Sequence, residues 1–278
     1  MQDLSEFFSG ADYDAQYEHL YEAEIAYLSR IATEATLVGH HGTSKMMSSE
    51  MSISKPESHR IKKGQGAILD IGCGTGIVTI PLAENTGLIT HGVDISPEML
   101  VRAREKSQHL DTLNFHLGNA LDFEIDTVFS LVLMTGNAFQ AFLTEEHIVQ
   151  LLNNIHKHLK QDGLLIFDTR LYEGYDLSLD DGFQLVDSYK DASNQDVKHF
   201  MQKTHFEQET GILHFDMKRD YADGKIRESH IELKFLPFET LLTLFEHAGL
   251  ALVAKYSNWD LEPFEASGTN VVFKLRKR

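Results

Sequence analysis

The segment Leu69-Asp70-Ile71-Gly72-Cys73-Gly74-Thr75-Gly76 constrains this chain more than any other stretch of its 278 residues. It joins a short apolar run, residues 67–71, to a stretch of helical spacing at 77–85. An apolar run this short, stopped by glycines, reads as a fully buried strand. Glycine is required where a chain turns sharply and where a ligand lies against backbone without a Cβ in the way. Pro81 fits the following helix only in its first turn, where amide hydrogens have no intrahelical partner.

Strand and helix signals then alternate. Strands are expected at 88–93, 114–117, 130–134 and 164–168, and helices at 96–107 and 147–159. Short connections between alternating elements imply a parallel sheet, because each crossover must carry the chain back over one face. After Arg170 the texture changes. Residues 197–208, 212–221 and 226–235 are long strand-like runs separated by the turn signals Glu209-Thr210-Gly211 and Ala222-Asp223-Gly224-Lys225. Helical spacing returns at 237–248, and two final strands follow at 250–256 and 270–275. Ahead of the core, apolar residues from Tyr13 to Ile31 recur at helical spacing, so one amphipathic helix is expected over 13–36. The expected architecture is an α/β, Rossmann-like doubly wound fold: a mostly parallel seven-stranded sheet with an N-terminal helical cap and an inserted antiparallel β meander. The expected divisions are 1–66 for cap and loop, 67–170 for the cofactor-binding core, 171–236 for the inserted lobe and 237–278 for the C-terminal part of the core.

Gly92-Val93-Asp94 places a carboxylate at the end of the second strand, where it can accept both hydroxyls of a ribose. A nicotinamide-type G-x-G-x-x-G loop would need glycine at 77 or 79, and the chain has Ile77 and Thr79 there; no Gly-Lys-Ser or Gly-Lys-Thr follows to make a P-loop. With Asp70-x-Gly72-x-Gly74-x-Gly76 followed by Asp94, the sequence resembles the class I S-adenosylmethionine-dependent methyltransferases. The likeness is strong over about residues 67–170, and Met134-Thr135-Gly136-Asn137-Ala138-Phe139-Gln140 resembles a bacterial branch of small-molecule methyltransferase-like proteins. The resemblance implies that Asp70 and the loop Gly72, Cys73, Gly74, Thr75 and Gly76 surround the methionine part of S-adenosylmethionine. It implies that Asp94, Ile95 and Met99 hold ribose and adenine, and that Asn119, Ala120 and Leu121 meet the adenine edge. Asn119 departs from the acidic residue often found there. Tyr17 is the expected N-terminal cover, and Met134 lies at the end of the fourth strand. The product is S-adenosylhomocysteine, and no metal is expected.

Carboxyl ends of strands face the crevice of such sheets, which nominates Asn137, Arg170 and Tyr172, with Trp259 in the loop before the last strand, as residues near the methyl acceptor. Methyl transfer from a sulfonium is an in-line displacement, so alignment and exclusion of water dominate; a hydroxyl acceptor additionally needs a base, a neutral amine does not. The expected acceptor is a small molecule reacting through N or O, its pocket closed by the N-terminal helix and the meander. The alternatives are a non-catalytic cofactor-binding or interaction module and a protein side-chain methyltransferase. With 25 Lys plus Arg against 42 Asp plus Glu, the net charge of -17 disfavours nucleic acid and anionic membrane. The lone Cys73 excludes an intrachain disulfide and thiolate-rich metal sites and reads as a packing residue. His40, His41, His199, His205, His214 and His230 show no metal-ligand spacing along the chain. No leader or membrane span is read, and the expected location is cytoplasmic.

Overall fold

The computed structural model describes residues 5–37 and 66–278. Of the expected cap and loop at 1–66, residues 1–4 and 38–65, with His40 and His41, fall outside them. Seven strands form the main sheet: β1 (Ala67–Ile71), β2 (Thr90–Asp94), β3 (Leu113–Leu117), β4 (Phe129–Met134), β5 (Leu159–Arg170), β10 (Leu250–Tyr256) and β11 (Asn270–Lys277). Their order is β10-β11-β5-β4-β1-β2-β3. Pairings β1–β2, β1–β4, β2–β3 and β4–β5 are parallel, whereas β11 runs antiparallel to both β5 and β10. The order reverses direction at β1 and β4, the topological switch point where open α/β sheets hold ligands.

β1 is buried along its whole length because both faces of the sheet are covered. Leu69 and Ile71 pack with Leu151 and Ile155 of α5 (Glu145–His158) and Phe245 of α6 (Phe238–His247) on one face. Ile68 joins Leu28 and Ile31 of α2 (Glu22–Leu37) and Leu82 of α3 (Thr79–Thr86) on the other. Pro81 stands in the first turn of α3. Ser96 caps α4 (Pro97–Lys106) by accepting the Met99 N–H at 3.3 Å, and Thr144 caps α5 through His147 N–H at 3.1 Å.

Between β5 and α6 lies a four-stranded antiparallel sheet in the order β6-β7-β8-β9: β6 (Gln184–Lys190), β7 (Asp196–Glu207), β8 (Ile212–Tyr221) and β9 (Ile226–Lys234). Three of these strands match the meander; β6 is an additional edge strand. β8 alternates strictly, with Leu213, Phe215, Met217, Arg219 and Tyr221 buried and the intervening residues partly exposed. The N-terminal region is two helices instead of one: α1 (Gly10–Tyr17), capped by Ser9, a 3-10 turn at Glu18–Leu20, then α2. α1 packs on α4 and β6, while α2 packs on α3 and β4. Serving both sets of partners breaks the helix between Tyr17 and Tyr21. Among the described residues no helix is long and apolar enough to cross a membrane.

Candidate active site

The glycine turn closes onto the end of β2. Gly74 N–H donates to Asp94 Oδ2 at 2.7 Å, and Ser96 N–H donates to Asp94 Oδ1 at 2.8 Å. Each carboxylate oxygen thus receives one backbone donor and keeps lone pairs for a diol. Gly72 and Gly74 adopt φ of 73° and 53°, the left-handed region in which a side chain is strained. Around Gly74 a Cβ would meet nothing within 4 Å, so packing leaves the space beside this turn open.

That space belongs to a cavity of about 200 Å³. Gly72, Gly74, Asp94, Ile95, Met99, Asn119, Ala120 and Met134 line it, together with Phe7 and Tyr13 from the N-terminal segment and Thr135, Gly136 and Phe142 after β4. A smaller hollow of about 30 Å³ adjoins it, sharing Tyr13, Gly72, Gly74 and Thr135 and adding Asp70, Cys73, Thr75 and Tyr21. Asp70 is 2% exposed; its Oδ2 accepts the Thr79 hydroxyl at 2.6 Å, while its Oδ1 has no partner. Burial raises its pKa to about 7. An orphaned buried carboxylate oxygen beside a hollow calls for a cationic or donor ligand, so these residues fit an α-ammonium below and a nucleoside above. Burial also raises the Cys73 thiol, which is the wrong direction for a nucleophile.

The remaining sequence candidates sit around this centre rather than on its walls. Tyr17 packs with its ring tilted and centred 4.7 Å from that of Tyr13, the tyrosine that reaches the cavity. Leu121 lies behind Asn119, whose side-chain oxygen accepts the Leu121 N–H at 3.0 Å. Gly76 packs against Ile80 and Phe115. Arg170 donates to Gln140 Oε1 at 2.9 Å, and Tyr172 packs against the antiparallel sheet near Phe206. Asn137, with φ of 59°, follows the lining Gly136; its N–H donates to Asp168 Oδ1 at 3.2 Å and its own Oδ1 is buried without a partner. Trp259 packs 6.2 Å from Tyr27, and its Nε1–H has no hydrogen-bond acceptor, although its proximity favours the ionised form of Asp168.

Phe7, Tyr13, Thr135, Phe142 and Asp168 escaped the sequence reading. In the single helix that spacing predicts, Tyr13, Tyr17 and Tyr21 share one face, so spacing does not choose among them, and Asp168 ends the expected strand 164–168 without any motif. Burial raises the Asp168 pKa to about 6 and that of Glu24 to about 7, the latter further raised by Asp168 and Asp260.

The sheet order, the glycine turn and the position of Asp94 match the fold of class I S-adenosylmethionine-dependent methyltransferases, and residues 68–163 match the family model described as a methyltransferase domain. Among curated relatives, a glycine/sarcosine N-methyltransferase of Aphanothece halophytica is 37% identical over 130 residues, 45% of this chain and 47% of that protein. The curated relatives from 34% to 37% identical at the head of the comparison are matched over only 43% to 47% of their own length. Among solved structures, the CcbJ methyltransferase from Streptomyces caelestis has the same fold with a TM-score of 0.72 at 20% identity, over 97% of this chain and 99% of that one. A S-adenosylmethionine-dependent methyltransferase from Clostridium acetobutylicum shares the fold at a TM-score of 0.66 and 20% identity, over 76% of this chain and 83% of that one.

Proposed function

We propose that this chain transfers a methyl group from S-adenosylmethionine to a nitrogen of a small molecule. The bound cofactor supplies a methyl group on a positively charged sulfur, open to in-line attack. Asp94 accepts the ribose hydroxyls, Ile95 and Met99 flank the adenine with Asn119 and Ala120 at its edge, and Asp70 holds the ammonium. Phe7 and Tyr13 cover the cavity and keep water from the reacting atoms. Cys73, Thr75, Gly76, Tyr17 and Leu121 shape the turn and the cover from behind.

The observation that carries the nitrogen assignment is the unpartnered side-chain oxygen of Asn137, the residue whose backbone N–H donates to the buried Asp168. A buried acceptor oxygen on a residue bonded to a buried carboxylate favours a neutral amine, which brings N–H donors and gains positive charge only as it is methylated. The N-methyltransferase named among the relatives supports the same class. Asn137 is assigned to orient the amine and Trp259 to wall the acceptor side; Arg170 and Tyr172 position the loop after β5 through Gln140 and the antiparallel sheet. Catalysis rests on proximity and desolvation, since a neutral amine attacks unaided.

Incubation of the chain with methyl-labelled S-adenosylmethionine and matched panels of small amines and alcohols, read by mass spectrometry, tests this. Labelled product is expected from amines only, with turnover lowered at least tenfold in Asn137→Leu. Label on alcohols alone, or no cofactor binding by calorimetry, overturns the assignment.

A further inference from the structure

The antiparallel sheet gathers a cluster of histidines and carboxylates that does not line the cofactor cavity. Register places His205 of β7 opposite His214 of β8, His214 opposite Glu232 of β9, and Asp216 opposite His230. Residues distant along the chain thereby become cross-strand neighbours. One ligand atom from each of His214, His230 and Glu232 lies within 4.8 Å of the others. The His214 Nδ1 to Glu232 Oε1 distance is 3.3 Å, about the separation of two ligands that each stand roughly 2 Å from one ion in a tetrahedral shell.

The other imidazole nitrogens are already committed. His214 Nε2 lies 3.1 Å from Glu207 Oε1, and His230 Nδ1 lies 2.8 Å from Asp216 Oδ1. A carboxylate on one ring nitrogen fixes the tautomer and turns the opposite nitrogen outward as a lone-pair donor, the arrangement that supports histidine ligands of metals. This leaves His214 Nδ1 and His230 Nε2 free to donate to an ion. Three carboxylates, Glu207, Asp216 and Glu232, crowd around the two imidazoles, so added positive charge relieves their mutual repulsion. The ring of His205 stands 5.4 Å from that of His214, within reach of a fourth position. Lys234, the ammonium whose field reaches Glu207, is bonded to the Thr210 carbonyl.

We infer that His214, His230 and Glu232 bind a borderline divalent cation of the zinc class, with Glu207 and Asp216 orienting the two imidazoles. Two nitrogens and one carboxylate oxygen suit Zn2+ or Co2+ and disfavour Ca2+ and Mg2+, which prefer oxygen shells. The ion ties β8 to β9 on the face opposite Leu213, Phe215 and Met217.

The test uses the untagged full chain, stripped with chelator, titrated with Zn2+ by calorimetry and with Co2+ by visible absorption. One tight Zn2+ per chain and ligand-field bands from bound Co2+ are expected. Both are lost in His214→Gln/His230→Gln, and Asp216→Asn weakens Zn2+ binding about 10-fold or more. Because 15 histidines offer background binding, the double variant is decisive: unchanged stoichiometry and affinity in it overturn the site, as does no binding by the unmodified chain. If the double variant melts lower before metal is added, Glu232→Gln replaces it, with the same loss expected and the same reading of unchanged binding.

Discussion

Asp70 is a buried carboxylate with one oxygen unpartnered, an arrangement that disfavours its ionised form in the ligand-free fold. Its folded pKa of about 7 exceeds the ordinary carboxylate value because burial penalises the charge. A raised folded pKa makes the group stabilising below the unfolded value, and that contribution is lost as pH rises through about 7. The ligand-free protein should therefore gain thermal stability on Asp70→Asn at pH 8. Affinity carries the opposite sign. An ammonium binds the ionised form, so the affinity for S-adenosylhomocysteine should fall as pH drops from 8 to 6, approaching about tenfold per unit below the pKa. Calorimetry across that range checks both, and a flat profile in the unmodified chain removes the ammonium assignment. Asp94, accepting two backbone N–H groups and open to a diol, gives a simpler expectation. Asp94→Ala should weaken S-adenosylhomocysteine binding by about 1 to 3 kcal/mol through lost charged hydrogen bonds, and equal affinities in the two proteins would show that the ribose lies elsewhere.

At the scale of elements, the N-terminal cover depends on a buried carboxylate in α1. Asp14 is 5% exposed and accepts Thr75 Oγ1 at 2.5 Å, Arg102 Nε at 2.8 Å and Lys106 Nζ at 2.7 Å, joining α1 to the glycine turn and to α4. Asp14→Ala should loosen residues 5–20 and leave the main sheet intact. Amide exchange in that segment should accelerate while β1 and β4 stay protected, and cofactor affinity should drop several-fold because Phe7 and Tyr13 lose their support. Unchanged exchange would show that packing alone seats α1. These elements also mark where sequence is legible. Strands buried on both faces, such as β1 and β4, are continuous apolar runs with glycine or polar stops, and their existence is evident from residues alone. The break between α1 and α2 is not, because the tyrosine periodicity continues through it and the cause lies in partners distant along the chain. β6 is hidden for a related reason. It is an edge strand exposed at most positions, so burial imposed little pattern on Gln184-Leu185-Val186-Asp187-Ser188-Tyr189.

Over the whole molecule, the glycine turn and Asp94 are readable because this wall of the cavity comes from the ends of consecutive strands of one sheet. The rest of the cavity wall is not, since Phe7, Tyr13 and Phe142 come from regions distant from the glycine turn and no local spacing relates them to it. The same separation makes the N-terminal segment a bridge between the two sheets. Glu6 is buried against Arg219 of β8 in a two-pronged ion pair, and it also accepts the Ser229 hydroxyl of β9 at 2.5 Å. Gln16 Oε1 accepts from Arg219 at 3.0 Å, and its Nε2 lies 2.9 Å from His199 Nδ1 of β7. Removing one member of such a pair strands a charge away from water and costs about 3 to 5 kcal/mol, whereas replacing both by apolar residues of similar size is often nearly neutral. Arg219→Met should therefore lower the unfolding free energy by that amount in urea titration, with Glu6 left uncompensated. Glu6→Met/Arg219→Met should recover much of the loss and still bind S-adenosylhomocysteine, because neither residue lines the cavity that holds it. A double variant no more stable than Arg219→Met would mean that the N-terminal segment is joined to the antiparallel sheet by charge pairing itself, rather than by packing of similar volume.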